Sequence, residues 1–350
     1  MNKKLILGDS FMKTAKKYTF SFDCISKHRS VLMGLAILSI IIFHFTEDCV
    51  NSGYNLFPLV KLYKAGVGSC GVDVFLFLSG LGLYYSFKKN SDIKTFYSKR
   101  FTRILIPYFC VAIPAWLIND IIIYGAGVKQ ALKDIFFISF FQSGTIWFWY
   151  ILMMLFCYII FPFVFDYVDG PNSKTKMLQI FVFITVITLL LQACSFDFFM
   201  RINIALARFP AFFLGCFIGK ASYEKKPILY GTYSLLLLAI FLLPLKSICS
   251  TPLSRYILGA FGIAIFILIA VFLEILETHN IKLGIIKRII VWFGNYSLEL
   301  YLTHVAIRSF MFHFGLPPYR FRYELLLVLL SIATSIIIKR ITNKIAQIIK

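Results

Sequence analysis

His44, Asp73 and His304 are titratable residues set inside stretches that are otherwise almost wholly apolar. An ionisable group at membrane depth is costly to keep, so it marks a reaction site or a transport path by default. A neutral imidazole can take a proton from a hydroxyl near neutral pH, and a carboxylate beside it can orient the ring and stabilise its cation. On that chemistry His44 is a general base or a carrier of a transferred group, and Asp73 tunes it. Glu299 and Arg308 flank His304. Arg308, four residues on, shares its helix face, whereas Glu299, five residues back, points more nearly away. The same groups can also hold helices together through hydrogen bonds, and Asp73 stands where a carboxylate caps a helix.

A second constellation is Lys99-Arg100-Phe101-Thr102-Arg103, just ahead of Pro107-Tyr108. Arg100 and Arg103 lie one helical turn apart, so both guanidinium groups can clamp one phosphate or pyrophosphate. Lys88 and Lys89 approach from the preceding loop end. Such a basic turn also serves as a topological anchor. The third is Trp147-Phe148-Trp149, an interfacial belt or a surface on which a sugar ring stacks. Ser79-Gly80 interrupts the apolar run that begins near Asp73.

The elements that must position these residues are membrane helices. The 350 residues are 59% hydrophobic with a mean hydropathy of +0.82, well above a soluble domain. The net charge of +20 sits mostly beside apolar segments and sets topology, so no nucleic-acid partner is expected. About 20 apolar residues cross a bilayer. Ten candidate spans follow, at roughly 30–47, 66–87, 104–124, 145–165, 178–195, 203–220, 228–246, 255–276, 289–311 and 323–339. An N-in, C-in arrangement puts most of the 36 Lys and Arg residues on the cytoplasmic side. The predicted fold is an all-α polytopic bundle: a basic tail at 1–29, one transmembrane domain at 30–339 and a basic tail at 340–350. Residues 125–144 read as an outer amphipathic or re-entrant segment.

No signal-peptide cleavage pattern precedes the first apolar run, which is therefore a retained helix. The eight cysteines show no metal-ligand spacing, and no metal is expected. Cys110, Cys157, Cys194 and Cys216 read as packing residues, while Cys49 and Cys70 fall on one side of the membrane and can pair. His28, His279 and His313 read as interfacial. On this topology His44 lies roughly 21 Å up the first span and His304 roughly 22 Å up the ninth, at 1.5 Å per residue. Asp73 falls at the outer end of the second.

Several of these pieces together resemble the integral-membrane acyltransferase-3 family of bacterial O-acyltransferases, over nearly the whole chain. They are Met33-Gly34-Leu35-Ala36-Ile37-Leu38 leading to His44, Gly71-Val72-Asp73-Val74-Phe75 leading to Ser79-Gly80, and Phe96-Tyr97 to Pro107-Tyr108. To these are added Ile146-Trp147-Phe148 with Phe161-Pro162, and Asn295 to His304. The resemblance implies transfer of an acyl group, usually acetyl, from cytoplasmic acyl-CoA to a hydroxyl of an extracytoplasmic glycan or lipid-linked sugar. The protein would sit in the bacterial cytoplasmic membrane, alone, as a homo-oligomer or with glycan-assembly partners. Acyl-CoA would be a donor substrate and not a resident cofactor.

The resemblance also makes His44 essential and places Arg100 and Arg103 at the acyl-CoA site. Ser79, Trp147, Glu299, His304 and Arg308 become acceptor or support residues. The family has an arginine eleven residues before the histidine; here that position is Met33, and the nearest arginine is Arg29, one turn toward the cytoplasm on the same face. Arg29 is accordingly expected to meet a CoA phosphate. The alternatives are a transporter or exporter of a glycan or lipid-linked sugar, which lacks support from any internal repeat, and a non-catalytic relative.

Overall fold

A computed structural model describes residues 20–54, 57–65, 68–249 and 251–348. Residues 1–19 of the basic N-terminal tail, Gly66 and the last two residues of the C-terminal tail lie outside the described residues. Nearly everything else is helix. The chain runs through α1 (Asp23–Lys27), α2 (Arg29–Asn51), α3 (Phe57–Ala65), α4 (Gly71–Lys89), α5 (Ile93–Leu117), α6 (Val128–Ile135), α7 (Ile138–Ser143) and α8 (Trp149–Asp169). It continues through α9 (Ser173–Cys194), α10 (Phe196–Leu206), α11 (Phe209–Tyr223), α12 (Tyr230–Phe241), α13 (Thr251–Thr278), α14 (Gly284–Asn295), α15 (Ser297–His313) and α16 (Phe321–Ile348). The single β interaction among the described residues is an isolated bridge between Ser21 and Pro227.

Nine helical stretches among the described residues are long and apolar enough to cross a membrane, α10 and α11 counting as one. The expected ninth span, 289–311, is not one helix. It divides at Tyr296 into α14 and α15. The local sequence Gly294-Asn295-Tyr296-Ser297 is poor in helix formers, so little propensity opposes the break. At the junction Lys339 on α16 donates to the Asn295 carbonyl at 3.1 Å and its ammonium lies over the Tyr296 ring. The sixth span is likewise divided, at Ala207-Arg208. There Pro210 removes a backbone donor and stands at the start of α11, the position where proline is tolerated. Within the expected C-terminal tail, α16 continues unbroken to Ile348. Residues 125–144 form the two short helices α6 and α7, in keeping with an amphipathic segment.

Small residues allow the central helices to approach closely, since lipid supplies no hydrophobic force between them. Gly215 and Gly219 on α11 form a G-x-x-x-G face against α4. A Cβ at Gly215 would collide with the Phe77 carbonyl, and one at Gly80 with that of Phe212. The contact of α2 with α14 is built the same way, with Gly34 against the Ile290 backbone and Gly294 against Ser30. Large aromatic side chains fill the space around these seams, among them the fully buried Tyr84, Tyr108, Phe77 and Phe161. Helices α9 and α12 expose most of their surface and lie at the edge of the bundle.

Candidate functional site

Helix α5 begins at Asp92, whose side chain accepts the Thr95 amide at 2.8 Å. That start sets the basic residues of its first turns. Arg100 and Arg103 line a cavity of about 250 Å³ together with Arg29, Ser79, Tyr150 and Tyr158. No carboxylate lines this cavity among the described residues. Arg29 Nε donates to the Leu78 carbonyl at 3.1 Å, and the absence of a side chain at Gly82 leaves room for its guanidinium. Arg100 lies over the Phe96 ring at 5.7 Å, and its buried Nε makes no hydrogen bond among the described residues.

This middle cavity adjoins a basal one of about 790 Å³, with Arg29, Met33, Arg103, Ser297 and Leu298 common to both walls. The basal cavity adds Lys94, Lys99 and Lys339 against the single acid Glu299. Glu299 pairs with Lys339 at 2.8 Å and so belongs to this end, away from His304. Lys88, expected to approach Arg100 and Arg103, instead pairs with Asp169 at 2.8 Å.

At its other end the middle cavity meets a chamber of about 530 Å³, sharing Ile40, Val72 and Tyr301. His44, Trp147, Arg208, Arg255 and Arg308 line this chamber. His304 is fully buried beside it, its ring stacked on that of His44 with centroids 5.3 Å apart and planes 6° from parallel. His44 Nδ1 and both nitrogens of His304 make no hydrogen bond among the described residues. One turn further along both helices, Arg308 donates through Nε to Asp48 Oδ2 at 2.8 Å and through its terminal nitrogen to Glu47 Oε2 at 2.9 Å. A third bond joins Arg308 to the other Asp48 oxygen. This bidentate fork fixes α15 against α2 in register.

Asp73 does not serve as the partner of His44. It is buried and faces Arg208, Nε to Oδ2, at 3.5 Å. The reason is geometric: Asp73 sits in the first turn of α4, where α11 and α13 close over it, Gly259 lying against its carboxylate. His304 occupies the place beside His44 that the sequence suggested for a carboxylate. Trp147 is more than a belt residue. It stacks on Trp116 at 4.3 Å and meets the edge of Phe310. Phe148 adopts a left-handed conformation, φ 54°, uncommon for an aromatic residue, and is fully buried. This turn lets both Trp147 and Trp149 line the chamber.

Burial and pairing place the remaining histidines and cysteines. His28 is buried, with Nε2 3.0 Å from Glu274, and desolvation lowers its pKa against the pull of Glu274 and Glu277. Those carboxylates are also held by Lys27 and Lys287. His279 and His313 are exposed. Cys49 and Cys70 form no disulfide, and Cys194 is exposed and not packed. Spacing along the chain did not single out Glu47 and Asp48, although Asp48 stands four residues after His44 as Arg308 stands four after His304. Nor did it single out Arg208 and Arg255 as a pair, since nothing along the chain brings residues so far apart to one wall.

Fold and site define a polytopic membrane protein in which a strongly basic cavity, a narrow middle cavity and a chamber lined by His44, with His304 stacked behind that ring, adjoin one another in series. A family model described as an acyltransferase domain, acyltransferase 3, matches residues 31–340. The chain belongs to the acyltransferase-3 family and is a membrane acyltransferase. Neither the comparison with curated proteins nor that with solved structures returned a match.

Proposed function

We propose that the protein transfers an acyl group, most simply acetyl, from cytoplasmic acyl-CoA to a hydroxyl of an extracytoplasmic glycan or lipid-linked sugar. The observation that carries this reading is the sequence of cavities: a cationic mouth at one end, two histidines at the other. Arg29, Lys94, Lys99, Arg103 and Lys339 face one carboxylate in the basal cavity. Coenzyme A carries a pyrophosphate and a further phosphate, and such a polyanion suits a site with that charge excess. Arg29 takes the role suggested by the family's arginine at position 33. Arg29 and Met33 line the same two cavities, so a guanidinium reaches that space from one turn below.

The thioester arm extends through the middle cavity past Ile40, Val72 and Tyr301. Arg29 and His44 are about 22 Å apart along α2 at 1.5 Å per residue, so the donor must be extended. In the chamber His44 removes the proton from the acceptor hydroxyl as its oxygen attacks the thioester carbonyl. The carbon–sulfur bond breaks and the coenzyme A thiolate leaves, to be protonated by the imidazolium. Alternatively an imidazole nitrogen takes the acyl group first and passes it to the hydroxyl. In both routes His304 backs the reacting ring and the Arg308 fork holds the two helices in register. Trp147 offers an aromatic face on which a sugar stacks.

The test is transfer of labelled acetyl from acetyl-CoA by purified protein in sealed proteoliposomes, with a glycan acceptor supplied on the opposite side. Label transfer that is lost in both His44→Ala and Arg103→Ala supports the reading. Full transfer by His44→Ala rules out the base and carrier roles alike.

A further inference from the structure

The chamber holds two arginines, Arg208 and Arg255, that the reaction described above does not employ. Of its three arginines, Arg308 is taken up by Glu47 and Asp48. The other two are not matched in this way. Arg208 is 4% exposed, and its Nε makes no hydrogen bond among the described residues. It lies 3.5 Å from Asp73, with the guanidinium carbon 4.9 Å from the Trp149 ring centre. One of its terminal nitrogens donates to the Ile204 carbonyl. Arg255, half-buried on the same chamber, makes no ion pair among the described residues. Asp73, which sits behind the two guanidinium groups and is not in the chamber lining, is the carboxylate that acts on both, with Glu47 acting more weakly on Arg255 from within the chamber. Helix starts reinforce the charge. Arg208 immediately precedes α11, and Arg255 lies in the second turn of α13, so the positive ends of two helices begin near it.

Leaving a buried guanidinium without a full set of acceptors costs several kcal/mol by the usual scale. The arrangement makes physical sense when a ligand supplies the missing acceptors. The donor phosphates do not fit this role, because their arginines lie at the opposite end of the cavity series. We propose that Arg208 and Arg255 form a subsite for an oxyanion on the acceptor, a phosphate or a carboxylate, that holds the acceptor with its hydroxyl toward His44. Identifying the occupant as the acceptor rests on the proposed acyl transfer. The subsite itself rests on the chamber geometry. An acidic sugar or the phosphate of a lipid-linked sugar satisfies the same chemistry. A neutral glycan supplies neither guanidinium with a further charged acceptor.

The experiment measures binding of farnesyl phosphate, farnesol, glucuronate and glucose to the full chain in nanodiscs, with acetyl-CoA binding followed on the same samples. Wild type is compared with Arg255→Gln, Arg208→Lys and Arg103→Gln. The expected result is binding of farnesyl phosphate or of glucuronate, whichever source is used, well above that of its neutral counterpart. Loss of charge-assisted hydrogen bonds worth about 1.5–3 kcal/mol lowers that affinity roughly 10- to 100-fold in Arg255→Gln. Arg103→Gln leaves it unchanged, and Arg255→Gln leaves acetyl-CoA binding unchanged. Because Arg208 is buried, Arg255→Gln decides the question if Arg208→Lys misfolds. The proposal is overturned if neither anion binds better than its neutral counterpart, or if binding depends on Arg103 and not on Arg255. Anion binding that depends on Arg255 in a protein that fails to bind acetyl-CoA sinks the donor reading and leaves the subsite standing.

Discussion

His304 stacks on His44 at a centroid distance of 5.3 Å, and the same offset of 260 residues joins Arg308 to Asp48 one turn further on. Helices α2 and α15 therefore run side by side in the same direction, locked by one aromatic contact and one ionic fork.

His44 and His304 should separate in their effects. Removing a general base costs about 10²–10⁴-fold in rate, so His44→Ala should lose at least that much acyl transfer. His304→Phe keeps the stacked face without the nitrogens. It should reduce kcat less than His44→Ala does while leaving the KM for acetyl-CoA within about twofold, since the arginines proposed to hold the donor phosphates line the cavities at the other end of the series. Steady-state kinetics on both variants decides this, and a His304→Phe protein as inactive as His44→Ala would give His304 a direct part in proton transfer.

The fork should be a stability device as well as a positioning one. Asp48 is 3% exposed, so Asp48→Ala leaves Arg308 with Glu47 alone. Breaking a buried pair from one side costs about 3–5 kcal/mol. The half-buried Arg308 relaxes part of that, and a loss of about 2–3 kcal/mol is expected. Thermal unfolding in detergent measures it. A melting temperature equal to wild type would remove the fork from the account of register.

Arg29 and Met33 make a rescue test. Arg29→Gln should raise the KM for acetyl-CoA roughly 10-fold or more with a smaller effect on kcat, by loss of charge-assisted contacts of about 1.5–3 kcal/mol. Met33→Arg introduced into that variant should restore part of the affinity, because both positions line the same two cavities. Unchanged KM in Arg29→Gln would assign the basal charge to another purpose.

The seam between α4 and α11 has no room for a side chain. Gly215→Val should abolish folding or separate the two helices, whereas Gly231→Ala, where a Cβ would meet nothing within 4 Å, should be tolerated. Size-exclusion profiles after membrane extraction discriminate the two, and a normal profile for Gly215→Val would contradict the close approach.

His28 links pH to stability. Its folded pKa lies below the ordinary value of 6.5 because burial disfavours the charged ring. The unfolded chain then binds the proton more readily, so stability is full above about pH 6.5 and declines as pH falls below it. Melting temperatures between pH 7.5 and 5.5 should fall, and His28→Gln should flatten part of that slope. A slope unchanged by the substitution would place the pH dependence elsewhere.

Much of the site was legible along the chain. Rise per residue put His44 and His304 at one height, and the spacing of Arg100 and Arg103 put two guanidinium groups on one face; the structure places both pairs together. Apolar runs identified the spans for the same reason, since bilayer thickness sets a length that composition can display. Partnerships across helices were less accessible. Asp73 was read beside His44 and stands against Arg208, because periodicity fixes a residue's height and face on its own helix but not how that helix is turned toward its neighbours.

By itself, then, the sequence determined a polytopic helical protein, its basic end and the level of its histidines. Each of these follows from local periodicity, hydropathy and charge. Tertiary structure alone decided that His304 backs His44, and that Arg208 and Arg255 meet in one chamber. Those relations depend on how closely helices approach, and here the approach is set by glycines on separate helices and by the breaks at Ala207-Arg208 and Tyr296. Such contacts are settled by side-chain volume in three dimensions, which spacing along one chain does not encode.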